Sequence, residues 1–401
     1  MDTKAVIELS DLAKEDAKNY PVPRSLFGVI KDHAGKHFSG ILGPRGVGKT
    51  VLLRQICAKD PDALYLSLDA VARDEDIFEL VKKLHLDYGY RFFLLDEVHF
   101  HSNADEVLKK LYDFLSIRVC FTSSVALALT QSSYDLSRRA LLFHLQPFSF
   151  REYLFFKHGI HLAPLKLSEI FNREWHPDHM RAGRHFDDYL RGGLMPFALH
   201  EPEPLPILER ILATVIRKDI PAVARLHTDE LDTIEKLVAF IGRSTVDGIN
   251  YSSLSNNLGI SKYKAEQYVG LLEKAFILQS IFPKGTNVLR EPKVLMALPY
   301  RLLFREYPDA VGGLREDYFA EAMRICSQDI FYLKSTRGAK TPDYLLAGGG
   351  EENIVIEIGG KGKGREQFKG VSMDRKIILT HSEQTEGIKR PLFLFGLLEF
   401  R

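Results

Sequence analysis

Cysteine is scarce in this chain: there are three among 401 residues, Cys57, Cys120 and Cys326. They lie far apart and form no Cys-x-x-Cys pair, which excludes a disulfide-framed fold and points to buried free thiols in a reducing compartment. Long apolar runs are also lacking. No stretch approaches the roughly 20 residues of a membrane span, so no membrane partner is expected. The opening MDTKAVIELSDLAKED has no continuous apolar core, so a signal peptide is not expected and the cytoplasm is the expected location. Charge imbalance is absent as well: 54 Lys and Arg face 53 Asp and Glu, for a net charge of +1. A total so balanced neither argues for nucleic acid nor excludes it, because a basic face can sit within a neutral whole. There is no internal repeat and no low-complexity tract.

The chain is too long for one compact domain, and two to four are expected. Residues 1–35 read as helical, broken at Pro21 and Pro23. From His37 onward, apolar runs of strand length alternate with helical periods, the signature of a parallel α/β sheet. The strand candidates are 38–42, 63–68, 91–95, 117–122 and 140–145, with helices near 49–58, 76–84, 103–115 and 125–136. Five strands with crossover helices predict one doubly wound domain ending near Pro147. Residues 150–228 read as helical, with an irregular polar stretch at 172–188. A helical block at 230–282 follows, then mixed strand and helix to the end. Gly348–Glu352 reads as a hairpin turn and Gly359–Gly364 as a flexible basic loop.

Gly43-Pro44-Arg45-Gly46-Val47-Gly48-Lys49-Thr50 matches G-x-x-x-x-G-K-[ST], after a strand and at the start of a helix that continues with Val51. The glycines let backbone N–H groups curl around phosphates, and the helix N-terminus adds partial positive charge. Lys49 is expected to bridge the β- and γ-phosphates and Thr50 to ligate Mg²⁺. A second motif, RFFLLDE at 91–97, is an apolar strand ending in two carboxylates. Asp96 is expected to hold the Mg²⁺ water shell and Glu97 to act as general base on the attacking water. Together these predict binding and hydrolysis of a nucleoside triphosphate, ATP or GTP. The next strand ends in Phe121-Thr122-Ser123-Ser124, where Thr122 and Ser123 are candidates to reach the γ-phosphate or the lytic water; a strand-end cap is the alternative. Arg138 and Arg139 precede the last strand. In an oligomer, one of them is a candidate arginine finger toward a neighbouring subunit; a surface ion pair is the alternative.

With these motifs in place, the chain resembles the AAA-type ATPases of bacteria and archaea that carry a C-terminal domain of unknown function, DUF4143. The resemblance rests on GPRGVGKT, LLDE, SRRALLFHLQPFSFREYL (137–154), YLRGGLMP (189–196), GLREDYFAEAM (313–323), TPDYLL (341–346) and IVIEIGGKGKG (354–364). It implies an ASCE-class core with its N-terminal segment (1–149), a helical lid (150–228), a winged-helix domain (229–300) and a domain similar to PD-(D/E)xK nucleases (301–401). ATP and Mg²⁺ are the cofactors it implies. In such nucleases three carboxylates hold a divalent metal, and the matching positions are Glu316, Asp343 and Glu357. The sequence departs from that pattern where the E-x-K lysine should stand: position 359 is Gly, with Lys361 beyond it and Gln367 further on. A fold kept for binding alone is the alternative to a working nuclease.

The helical block has its own pattern. Ile234, Leu237, Val238, Phe240 and Ile241 line one helix face; residues 252–258 form a short helix ended by Gly259. Ser261 then caps a second helix running to about 274, with Ala265, Tyr268, Val269, Leu271 and Leu272 inside and Lys262, Lys264 and Gln267 outside. A wing strand, FILQSIFP, follows. Such second helices enter major grooves in some proteins, so DNA is an expected partner; packing or protein binding is the alternative. His176, Asp178, His179 and His185 crowd one polar segment, but read as a solvated loop rather than a zinc site. His99 and His101, two apart after the Asp-Glu pair, are expected at the surface; lining the nucleotide mouth is the alternative. Three readings stand at this level: a DNA-coupled ATPase, an ATP-gated switch acting on a protein partner, and an ATP-controlled nuclease.

Overall fold

The computed structural model describes the chain except residues 1, 34, 73, 102, 126–135, 137, 247, 285–290, 334–340, 348–352, 360–367, 369–374 and 400–401. The helix expected at 125–136 falls almost wholly outside the described residues, as do the 348–352 turn, Lys361 and Gln367. The rest divides into two compact units, Met1–Gln146 with Ala213–Leu226, and Pro147–Leu212 with His227–Arg401. The segment 150–228 is thus shared between them.

The first unit is built on five parallel strands: β1 (Phe38–Leu42), β2 (Ala63–Ser67), β3 (Phe92–Asp96), β4 (Arg118–Ser123) and β5 (Ala140–His144). Their order is β2-β3-β4-β1-β5. β4 therefore separates the strand leading into the glycine loop from the strand ending in Asp-Glu. The three central strands are buried on both faces, which is why they read as unbroken apolar runs. Phe93 and Phe121 are fully buried in this core, each contributing about 1.5–3 kcal/mol by removing its ring from water. The open edge of β2 is covered by the helix Thr3–Asp16, whose Ser10 hydroxyl accepts from the Tyr65 N–H at 3.0 Å. That contact satisfies an edge donor that would otherwise invite strand pairing.

In the second unit, the helix Phe150–His158 starts with a capping box between Ser149 and Glu152. Its Phe150 packs edge-on against Phe186, Tyr189 and Phe393. The stretch read as irregular, 172–188, forms short helical pieces instead, Pro177–Arg181, Ala182–His185 and Phe186–Asp188. Their polar faces hid them from a periodicity reading. Three helices follow, Thr228–Arg243, Tyr251–Leu258 and Lys262–Lys274, then an antiparallel pair β6 (Leu278–Ile281) and β7 (Lys293–Met296). Gly259 ends the middle helix at φ 66°, and the Ser261 side chain caps the next by accepting from the Lys264 N–H. Ala265, Tyr268, Val269 and Leu272 are buried as expected, while Leu271 is half-buried.

The C-terminal part packs the helix Tyr307–Ile325 against a second sheet: β8 (Ile330–Tyr332), β9 (Tyr344–Leu346), β10 (Ile354–Gly359), β11 (Lys376–Thr380) and β12 (Lys389–Pro391). The order is β12-β11-β10-β9-β8. β10, β11 and β12 run parallel, and β8 and β9 are antiparallel additions. No helix among the described residues is long and apolar enough to cross a membrane.

Candidate active site

β1 delivers the chain into the loop 43–48, and the helix Lys49–Lys59 begins at once after it. Gly46 and Gly48 adopt φ of 86° and 90°, a region that glycine enters without steric cost. Gly43 is needed for another reason: a Cβ there would meet the Leu145 carbonyl oxygen at 2.1 Å. Arg24 braces the loop, its Nη1 donating to the carbonyls of Val47 at 3.3 Å and Gln146 at 2.8 Å.

The functional side chains meet at the carboxyl ends of β1, β3 and β4, where open α/β sheets place their ligands. Lys49 is buried, and its Nζ donates to the carbonyls of Gly43 (2.9 Å) and Pro44 (3.1 Å) and to the Ser124 hydroxyl (2.8 Å). The Ser124 hydroxyl in turn donates to Glu97, 2.8 Å from Oε1. Burial lowers the Lys49 pKa, with Glu97 and Asp96 pulling the other way. For Glu97, burial raises the pKa, but the charges of Lys49 and Arg45 and the Ser124 hydrogen bond outweigh it and leave the carboxyl below its ordinary value. Glu97 is therefore ionised at neutral pH, the state a general base requires. Its backbone sits at φ 52°, ψ 49°, an uncommon region for a residue with a side chain, and its N–H donates to the Thr122 hydroxyl at 2.9 Å.

Asp96 ends β3 and is buried. It accepts from three hydroxyls: Thr50 at 2.7 Å, Tyr65 at 2.8 Å, and Thr122 on its other oxygen. Thr50 and Asp96 thus stand side by side as hard oxygen donors, the kind that suits Mg²⁺, which keeps several waters and takes few protein ligands. Two protein ligands of this kind fit that preference. Among the described residues no group of three or more His, Cys, Asp or Glu is placed to hold a metal ion.

Ser123 turns its hydroxyl to the Val125 carbonyl at 2.8 Å. It is Ser124, one residue on, that faces Lys49 and Glu97. His99 and His101 are buried, not at the surface, because a tight turn at Val98–Phe100 tucks them under the strand end. His99 Nδ1 lies 3.2 Å from Glu97 Oε2, yet neither ring nitrogen makes a hydrogen bond. Burial lowers the His99 pKa, so the ring is neutral at pH 7 and the contact is close packing rather than an ion pair. Arg45 forms a two-pronged pair with Asp219, Nε to Oδ2 at 2.9 Å and Nη2 to Oδ1 at 2.8 Å. A cleft of about 550 Å³ opens over these groups, lined by Arg45, Thr50, Tyr65, Asp96 and Glu97 among others.

Arg138 and Arg139 lie just before β5, whose first residue pairs with Phe38, the first residue of β1. They are at the amino ends of the strands, opposite the end that carries the glycine loop. Arg139 is held by Asp113 at 3.0 and 3.1 Å, and Arg138 is exposed.

Among the described residues of the second unit, Glu316, Asp343 and Glu357 form no group placed to hold a metal ion, which corrects the second metal site expected there. The Tyr344 hydroxyl donates to Glu316 at 2.7 Å, and the Ile358 N–H donates to Asp343 at 2.7 Å. Lys293 from β7 lies 2.5 Å from the same Glu316 oxygen, so that carboxylate is already neutralised from within. Of the crowded polar segment, His179 is buried, its Nε2 is 2.9 Å from the Ala163 carbonyl, and its Nδ1 accepts from the His176 N–H. His176 lies 3.1 Å from Asp178, and the His185 ring packs tilted against His158, with centroids 4.0 Å apart. These are helix-capping and packing contacts.

Comparison with known proteins places the site in context. Residues 36–154 match the family described as an AAA domain, AAA_14. Residues 183–297 match a domain of unknown function, DUF8612, a different one from the DUF4143 that the sequence resembles. An uncharacterized protein of Methanocaldococcus jannaschii, MJ1637, is 28% identical over 407 residues, covering 90% of this chain and 86% of that one. Among solved structures, the chain is similar to the Aeropyrum pernix ORC1 protein in complex with DNA (12% identity, 77% of this chain and 92% of that one, TM-score 0.29). It is also similar to AMPPCP-bound DnaA from Aquifex aeolicus (16% identity, 66% and 86%, TM-score 0.24). At those scores neither likeness carries an inference. The AAA-domain match encloses Lys49, Thr50, Asp96, Glu97, Thr122 and Ser124, and supports nucleotide binding and hydrolysis in general.

Proposed function

We propose that this protein is a Mg²⁺-dependent ATPase of the AAA type. The observation that carries the reading is the chain of contacts Lys49–Ser124–Glu97 beside the Thr50–Asp96 pair. Thr50, Asp96 and Glu97 line one cleft, and the Ser124 hydroxyl links the lysine to Glu97. Lys49 and the N–H groups of the glycine loop grip the phosphates. Glu97, kept ionised, orients a water and takes its proton as the water oxygen bonds to the γ-phosphorus and the bridge to ADP breaks. Thr50 and Asp96 would hold Mg²⁺, which would supply neutralisation of the phosphate charge. Steady-state ATP hydrolysis, with Glu97→Gln as the inactive reference, tests this directly. Turnover in both proteins at the same rate would refute it.

The nucleotide state is proposed to act through the three helices and hairpin of residues 228–296, whose order supports a winged-helix reading, with DNA as the partner. A protein partner is the second reading, and a specific observation favours it. Two of the three lysines of the helix Lys262–Lys274 are already paired, Lys262 with Glu291 and Lys264 with Glu230 at 3.4 Å. These pairs weaken the positive face that phosphate contacts require. Strong stimulation of turnover by single-stranded, duplex or branched DNA supports the first; indifference to all three supports the second. Cutting is not part of the proposal, since Gly359 stands in place of the E-x-K lysine and Lys293 neutralises Glu316.

A further inference from the structure

Asp219 reaches the glycine loop from far along the chain, 174 positions after Arg45. Its side chain is fully buried, and both carboxylate oxygens are taken up by Arg45. A buried carboxylate needs such a partner, because leaving it unpaired in a low-dielectric interior is costly. The local backbone explains how it gets there. Val215–Asp219 is a turn of π-helix, followed by Ile220 and Pro221. Pro221 has no N–H to return to the Arg217 carbonyl, so the helix cannot keep its regular spacing and widens. Such widened turns recur at functional sites.

Arg45 is not buried with it. About a quarter of its side chain is exposed, at 26%, and it lines the same cleft as Thr50, Asp96 and Glu97. Nε and Nη2 are fixed on Asp219, and the guanidinium carbon lies 5.8 Å from the centre of the Phe100 ring. A guanidinium gripped along one edge is held in a set plane with its other edge directed elsewhere.

We propose that Asp219 is a positioning residue of the nucleotide site. Its two-pronged grip aims Arg45 at the terminal phosphate of a bound nucleoside triphosphate and makes the segment 213–226 part of that site. The proposal rests on the nucleotide reading above. The opposite arrangement is a latch, in which the phosphate pulls Arg45 away from Asp219. That would strand a buried carboxylate, whereas positioning keeps both charges paired. The two differ in sign. Under positioning, removing the Asp219 charge weakens triphosphate binding; under a latch, it tightens it.

The test is equilibrium binding of fluorescent ATP and ADP analogues to the full-length protein, with the substitutions D219N, R45Q and both together. D219N is expected to weaken ATP-analogue binding about tenfold, the value of one charge-assisted contact, and ADP-analogue binding much less. In the R45Q background D219N is expected to add nothing, since Asp219 acts through Arg45. Hydrogen exchange is expected to show nucleotide protecting 213–226 in the wild type and not in R45Q. Tighter or unchanged binding by D219N, or effects that multiply in the double variant, overturns the assignment while leaving the nucleotide reading intact. Wild-type protein that binds neither analogue overturns both. If D219N melts far below the wild type, D219E keeps the charge but shifts the grip, and unchanged ATP-analogue affinity in D219E overturns the assignment.

Discussion

Lys49 and Glu97 are joined through a single hydroxyl: Lys49 donates to Ser124 Oγ at 2.8 Å, and Ser124 donates onward to Glu97 at 2.8 Å. The group proposed to grip phosphate and the group proposed to activate water are thus linked through one side chain.

Ser124→Ala is expected to lower turnover about 10- to 100-fold, the loss of a hydrogen bond to a charged group, with nucleotide affinity changed by less than about threefold. Ser123→Ala is expected to leave turnover near wild type, because its hydroxyl is spent on Val125. Steady-state kinetics on the two variants check both. Equal losses would show that the Ser124 contact is not the one that matters.

The contrast between these two serines also shows what the sequence could and could not say. Lys49, Thr50, Asp96 and Glu97 sit in contiguous motifs, because a glycine loop and a strand end each force neighbours in sequence to be neighbours in space. Thr122 and Ser123 were the natural candidates after them, yet side chains alternate across a strand. Thr122 and Ser124 share a side, so the alternation itself could have singled out Ser124. Tyr65 and His99 belong to no motif; each reaches the site only because β2 lies beside β3 and because a tight turn follows Glu97. Asp219 was beyond reach, since nothing local ties it to Arg45. The first sheet was legible because its strands are continuous apolar runs. The second was legible only as mixed strand and helix, its β8, β9 and β12 being three residues each.

Acid is expected to destabilise the first unit in two windows. The buried His99 has a pKa lowered from 6.5, so the unfolded chain takes up a proton there before the folded one does. Stability from this group is complete above about pH 6.5 and is lost as pH falls below it. Glu97, lowered from 4.5, adds a second loss below about pH 4.5 by the same sign. Urea unfolding between pH 5 and 8 should show the upper window, and His99→Gln should flatten it. An unchanged slope in that variant would contradict the assignment.

Arg138 and Arg139 cannot reach the site of their own chain, lying at the amino ends of the strands, opposite the end that carries the glycine loop. If an arginine finger acts here, it acts on another copy. Arg138→Ala is expected to abolish turnover while keeping nucleotide affinity, and mixing it with Glu97→Gln is expected to restore part of the rate. Restoration by mixing requires sites shared between copies, and its absence would rule such sharing out.

Arg301 and Asp317 form a buried pair at 2.6 Å that ties the helix Tyr307–Ile325 to the chain after β7, with Arg301 also donating to the carbonyls of Ile241 and Ser244. Arg301→Ala should cost about 3–5 kcal/mol, because it strands the Asp317 charge. Asp317→Ala should cost a similar amount. Denaturation midpoints for the two variants check this. A loss under about 1 kcal/mol would place the pair among weak surface contacts.

The central claim is tested most directly by ATP turnover in wild-type protein, with Mg²⁺ present or chelated, against Glu97→Gln. The account predicts turnover that requires Mg²⁺ and falls at least about 100-fold in the variant, while the variant still binds ATP. Turnover that survives the substitution, or a wild type that neither binds nor hydrolyses ATP, would contradict it.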